Sequence, residues 1–162
     1  METRAIVLLI VPVVLASASA APAPSSAPAT SAPASAPATS AATAPAARSV
    51  WDGVYTADQL DRGKKAYNSS CARCHGDSLL GNDDAPALVG KDFLTKWSGK
   101  SVGEVVQLTY KTMPSDGPGK LSRKQSADMV AYILNSNDFP VGKTELPPDA
   151  DTLNTILIQA KK

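Results

Sequence analysis

Residues 21–47 are built from alanine, proline, serine and threonine alone, in an imperfect Ser-Ala-Pro-Ala/Thr repeat. No side chain there is large enough to bury, so nothing offsets the entropy of ordering the backbone. Ahead of Arg48 the only charged side chains are Glu2 and Arg4, and all eight aromatic residues lie between Trp51 and Phe139. What can fold is therefore confined to about 115 residues, enough for one small domain with one core. The 43% hydrophobic content is inflated by alanine before that point. The spaced prolines favour extended geometry, with a reach of up to roughly 80 Å at about 3.1 Å per residue. The segment reads as a disordered linker, either a stalk or a spacer of no selected length.

The extreme N-terminus has the layout of an export signal. Arg4 precedes the apolar run 5–15, and Ala16-Ser-Ala18 and Ala18-Ser-Ala20 offer the small-x-small pattern of a cleavage site. The run contains Pro12 and falls short of the roughly 20 residues that span a bilayer. The expectation is a signal peptide over 1–20 and a mature protein in the periplasm with no stable membrane span. An uncleaved anchor is the alternative, and with no cysteine before Cys71 a lipoprotein is not expected. A net charge of +1 supplies no basic stripe for nucleic acid and no adhesive face for anionic membranes.

From Trp51 onward the pattern is helical. Thr56-Ala-Asp-Gln59, Ser101-Val-Gly-Glu104 and Ser122-Arg-Lys-Gln125 each place a hydroxyl three residues before a Glu or Gln. That arrangement satisfies two backbone N–H groups at a helix start. It predicts helices over 57–70, 102–111 and 123–135, with a shorter turn over 92–97. In the last long helix Ala127, Val130, Ile133 and Leu134 fall on one apolar face. Gly- and Pro-rich stretches at 76–90 and 113–120 separate these segments. No alternating strand is evident, and the fold class is all-α.

The chemistry concentrates in Cys71-Ala-Arg-Cys74-His75. Two cysteines and a single histidine cannot assemble the usual four-ligand zinc sets. Thiols three residues apart on one helical face can instead reach the two vinyl groups of one haem, with the adjacent histidine turned under the ring toward iron. This is the pattern of c-type haem attachment. A thioredoxin-like Cys-x-x-Cys would want a βαβ context that the pattern lacks, and a plain disulfide is the other alternative.

Around this motif the chain resembles class I cytochrome c, the small His/Met-ligated monohaem family, over roughly 55–137. The order of helix, attachment motif, proline loop, methionine loop and C-terminal helix is the same. The resemblance implies a small helical domain around one covalently attached haem, with Gly63 and Tyr67 of the first helix crossing closely against Tyr132 of the last. It implies a sixth iron ligand, for which methionine and lysine are the candidates. Met113, in Lys111-Thr-Met113-Pro114, resembles the methionine loop, whereas Met129 lies on the last helix as core filling. The Pro86 carbonyl would accept from His75 Nδ1–H, and Leu88 would pack on the haem face. Trp97 would bond a haem propionate or simply fill core, and Tyr110 would face the haem on the ligand's side.

The implied site is thus Cys71, Cys74, His75, Pro86, Leu88, Trp97, Tyr110 and Met113, with His75 and Met113 on iron. A six-coordinate haem leaves no open position for substrate, so the expectation is an electron carrier rather than an enzyme. Its redox protein donor and acceptor would dock transiently at the haem edge. An electron-transfer subunit of a periplasmic dehydrogenase complex is the alternative, followed by a peroxidase or gas-binding haem protein. The cytochrome c domain is taken as 48–140. Residues 141–162 are read as a strap or tail, with a short helix over 149–160 turning Leu153, Ile156 and Leu157 inward.

Overall fold

The computed structural model describes residues 47–160. The expected signal peptide, and the expected linker apart from its last residue, lie outside the described residues. In chain order the elements are strand β1 (Arg48–Ser49), a 3-10 turn (Val50–Asp52), and helices α1 (Ala57–Ser70), α2 (Ala72–His75), α3 (Gly90–Trp97), α4 (Val102–Thr112), α5 (Arg123–Ser136) and α6 (Ala150–Asn154). Strand β2 (Ile156–Leu157) closes the order. The architecture is small and mostly helical, with one short parallel strand pair.

The helix starts follow from their caps, with one departure. At α4 and α5 the reciprocal arrangement is complete: Ser101 and Ser122 accept from the backbone N–H of Glu104 and Gln125, whose side chains return to the cap backbone. At α1 only half of it forms. Thr56 accepts from Gln59 N, but the Gln59 side chain is buried and bonded elsewhere. Its amide donates to Asp128 Oδ1 at 3.0 Å and to the Leu146 carbonyl at 3.0 Å, while its oxygen accepts from Leu146 N at 2.8 Å. A fully buried amide needs those partners, and the half-buried cap at Thr56 has less need of them.

Gly63 is where α1 and α5 cross. A Cβ added there would lie 1.9 Å from the Asp128 carbonyl oxygen and 3.2 Å from Tyr132 Cβ. One turn on, the Tyr67 and Tyr132 rings meet at 5.3 Å between centroids and 56° between planes. Beside the crossing, Asp128 accepts from Gln59, from Arg62 Nε at 3.1 Å and from Lys124 at 3.3 Å. Arg62 also reaches Glu145 at 2.8 Å. The cluster ties both helices to the chain that follows α5.

That following chain belongs to the core. Leu146, Leu153, Ile156 and Ile158 are all buried, and burial of each aliphatic side chain contributes about 1.5–3 kcal/mol. The expected helix over 149–160 ends at Asn154, and Ile156–Leu157 pairs in parallel with Arg48–Ser49. Consequently Ile156 and Ile158 point inward with strand alternation, and Leu157 is only half-buried. Helical spacing had placed 156 and 157 on one face, but β-branched Ile-x-Ile favours the extended form. Trp51 joins the same seam: its indole N–H donates to the Gln159 carbonyl at 3.0 Å, and its ring stands edge-on to Phe139 at 4.8 Å.

Replacing Gly63 with alanine should force the helices apart and cost about 1–3 kcal/mol as an overpacked contact; an unaltered Tm on thermal unfolding would show that the crossing is not closed. Asp128 generates a pH dependence. Burial acts to raise its pKa, but hydrogen bonds from Arg62, Gln59 and Lys124 outweigh it and hold the carboxyl below the usual range. Such a group stabilises the fold fully above about pH 3.9 and progressively less as pH falls through the lower folded value. Asp128→Asn should therefore lose about 1–3 kcal/mol near neutrality, and the gap to wild type should narrow below about pH 4. Parallel pH–stability curves for the two proteins would exclude that role.

Candidate functional site

The site begins at the last turn of α1. The Cys71 N–H still bonds to the Tyr67 carbonyl at 2.8 Å, and a new short helix runs from Ala72 to His75. Gly76, at φ +74°, ends it and turns the chain away. Tyr67 holds this corner, its hydroxyl donating to the Gly76 carbonyl at 2.7 Å. Burial pushes that hydroxyl above the ordinary tyrosine pKa, so it remains a donor at any physiological pH.

Both thiols are free and half-buried. Burial, with Cys74 alongside, pushes the Cys71 thiol up to about 11. A thioredoxin-like thiol needs the opposite shift, toward thiolate, and the βαβ context is absent among the described residues. The Cys71 S–H points at the Met129 thioether, 3.6 Å away.

His75 is buried, with Nδ1 2.8 Å from the Pro86 carbonyl. A carbonyl can only accept, so Nδ1 carries the proton and Nε2 keeps its lone pair. This is the tautomer that ligates a metal through Nε2, with the backbone acceptor strengthening its donation.

These groups open into one cavity of about 340 Å³, the size of a small-molecule or cofactor cleft. Cys71, Cys74, His75, Pro86, Leu88, Trp97 and Met113 all line it. Phe93, Val105, Met129 and Ile133 supply apolar wall between them. Met113 caps the end of α4 in extended conformation and is half-buried. The donor set fits a haem: two thiols three residues apart, an imidazole with a free Nε2, and a thioether from a separate segment around an apolar hollow.

Tyr110 is the exception among the expected residues, for it does not line the cavity. Position 110 lies about 100° around α4 from 109, and its ring is covered by the Arg123 guanidinium at 4.6 Å. Thr109, four residues before Met113, takes the cavity-facing place, as do Val105 and Thr112 on the same face. Counting the helical period back from Met113 would have found it. Trp97 lines the cavity and also packs in the core against Phe93, at 6.5 Å between centroids. The Lys96 and Lys100 ammonium groups lie over its ring at 5.3 and 5.2 Å. Lys96 is the one lysine lining the cavity. Met129, expected as core filling, is fully buried and also part of the cavity wall.

Two further contacts had no sequence signal. Arg73, between the cysteines, pairs with Asp116 of the methionine loop at the cavity edge. Both side chains are well exposed, so the pair orients more than it stabilises. Asn137, just past α5, donates to the Leu88 carbonyl at 2.9 Å and accepts from Gly90 N at 2.9 Å.

Residues 58–133 match the family model described as cytochrome C oxidase, cbb3-type, subunit III. Among solved structures, the chain is similar to one in the crystal structure of the sulfane dehydrogenase SoxCD from Paracoccus pantotrophus. That similarity has 21% identity and a TM-score of 0.45, covering 66% of this chain and 61% of that one. No curated protein matches the chain.

Proposed function

We propose that residues 58–133, which match that family model, form a c-type cytochrome domain, and that this protein carries single electrons on one haem attached through Cys71 and Cys74. His75 and Met113 are its axial ligands in this reading, and its donor and acceptor are redox proteins met outside the cytoplasm. The observation that carries the proposal is the convergence on one cavity of two free thiols, an imidazole with Nδ1 held by the Pro86 carbonyl, and the Met113 thioether. Bound haem supplies a one-electron Fe(III)/Fe(II) couple.

The chain's own residues do the rest. Cys71 and Cys74 would anchor the haem, His75 and Met113 would ligate its iron, and the apolar wall would keep water from it. Ligation of the iron by both His75 and Met113 would favour a carrier over a peroxidase or gas-binding protein, because each of those needs a coordination position that opens to its substrate. Lysine ligation finds little support, since Lys96 is exposed and lies against Trp97. Met129 is a weaker candidate than Met113, being fully buried on α5 and in contact with Cys71. The layout of residues 1–20 supports export, and no helix among the described residues is long and apolar enough to cross a membrane.

Protein matured in an oxidising compartment with haem ligation should hold one haem that survives acid–acetone extraction. Freely extractable haem, or a Cys71–Cys74 disulfide in the mature chain, would overturn the proposal. Cys71→Ala should retain a single thioether, and loss of both thiols should leave little stable holoprotein. Met113→Ala should abolish the far-red methionine–iron charge-transfer band and lower the reduction potential. Met129→Ala should keep the band while costing about 2–5 kcal/mol of stability. An unchanged spectrum and potential in Met113→Ala would refute its assignment.

A further inference from the structure

The Pro86 carbonyl that accepts from His75 belongs to a loop pinned on both sides by asparagines, neither of which lines the cavity. On the near side the Asn82 side-chain oxygen accepts from Asp84 N at 2.9 Å and from Ala85 N at 3.1 Å. Its own backbone N–H donates to the Ala85 carbonyl at 2.9 Å. Three bonds thus close a turn that ends one residue before Pro86. Gly81, at φ +71°, lets the turn fold back on itself: a Cβ there would lie 2.4 Å from the Ala85 carbonyl oxygen and 2.6 Å from the Pro86 carbonyl carbon. The Gly81 N–H also donates to the His75 carbonyl at 2.9 Å, tying the turn to the histidine's own backbone.

On the far side Asn137 uses its whole amide. Its nitrogen donates to the Leu88 and Ile133 carbonyls at 2.9 and 2.8 Å, and its oxygen accepts from Gly90 N at 2.9 Å. The four residues between Ala85 and Gly90 are therefore held at one end by a local turn and at the other by the end of α5.

We infer that Asn82 and Asn137 are positioning residues for the imidazole: they hold the Pro86 carbonyl on His75 Nδ1–H and so set how strongly Nε2 donates. The inference rests on His75 being an axial ligand. A carbonyl held in line polarises the N–H and makes the imidazole a better donor, which favours the ferric state. Freeing the loop weakens that bond and moves the reduction potential in the positive direction. Asn82, Asp83 and Asp84 are solvent-exposed and Ala85 is buried, so the Asp84 amide that the turn releases finds water. Loss of the turn therefore affects the potential more than the stability.

The test uses holoprotein carrying Asn82→Ala, Asn82→Ser and Asn137→Ala, with Gln59→Ala as the comparison that loosens the fold at the strap. Reduction potential, Tm and exchange of the His75 Nδ1 proton are measured on each. Asn82→Ala and Asn137→Ala should shift the potential positively and speed Nδ1–H exchange at least about tenfold. Asn82→Ser, which keeps an acceptor oxygen for the turn, should recover most of both. Gln59→Ala should lower Tm and leave the potential where it was. An unmoved potential and exchange rate in Asn82→Ala, or an equal shift in Gln59→Ala, would overturn the positioning role. Failure of the underlying reading looks different: the wild-type protein would then lack covalent haem, or would keep its low-spin spectrum in His75→Ala.

Discussion

The Asp128 carbonyl occupies the space where a side chain at position 63 would begin, and the functional part of the domain hangs from that approach. Because Gly63 lets the two backbones touch, the last turn of α1 and the middle of α5 lie side by side. Cys71, eight residues on from Gly63, therefore reaches Met129, the residue after Asp128. The Cys71–His75 segment and one wall of the cavity are positioned by the same contact. A wider helix spacing would separate the Cys71 thiol from the apolar hollow into which it opens.

Much of this was legible in the sequence because it depends on local chemistry. Hydroxyl caps placed the three long helices to within a residue or two, since capping involves only neighbours along the chain. Gly63, Tyr67 and Tyr132 were readable as a crossing through the family likeness, and Cys71, Cys74 and His75 through their spacing. What escaped depends on partners distant in the chain. Gln59 looks like half of a capping box, yet its amide is taken by Asp128 and Leu146. Tyr110 looked close to Met113 in sequence, but the helical period turns it toward Arg123. Asn137 follows the last long helix as an ordinary polar residue, and only the fold brings Leu88 and Gly90 to it.

Polar and apolar interactions are divided between the two sides of the α1–α5 pair. On one side Gln59, Arg62, Lys124, Asp128 and Glu145 form a connected cluster in which the buried carboxylate keeps its charge by accepting several donors. Every buried side-chain polar atom among the described residues has a partner. On the other side the cavity wall is largely aliphatic, aromatic and sulfur-bearing, which suits a hydrophobic ring and disfavours a bare charge. The rigid polar cluster leaves the opposite face free to be shaped for the cofactor.

The seam between Trp51 and Gln159 has a consequence for how the molecule comes into being. Those residues are 108 positions apart, and the Ser49–Gln159 hydrogen bond spans 110. A chain emerging from its N-terminal end, whether from a ribosome or a translocation channel, presents Arg48–Trp51 long before the segment that completes them. Contacts of such long range form late and slowly. The first residues of the domain must therefore wait, unpaired, until almost the last have arrived, and the Cys-x-x-Cys-His segment at 71–75 emerges while the domain is still open.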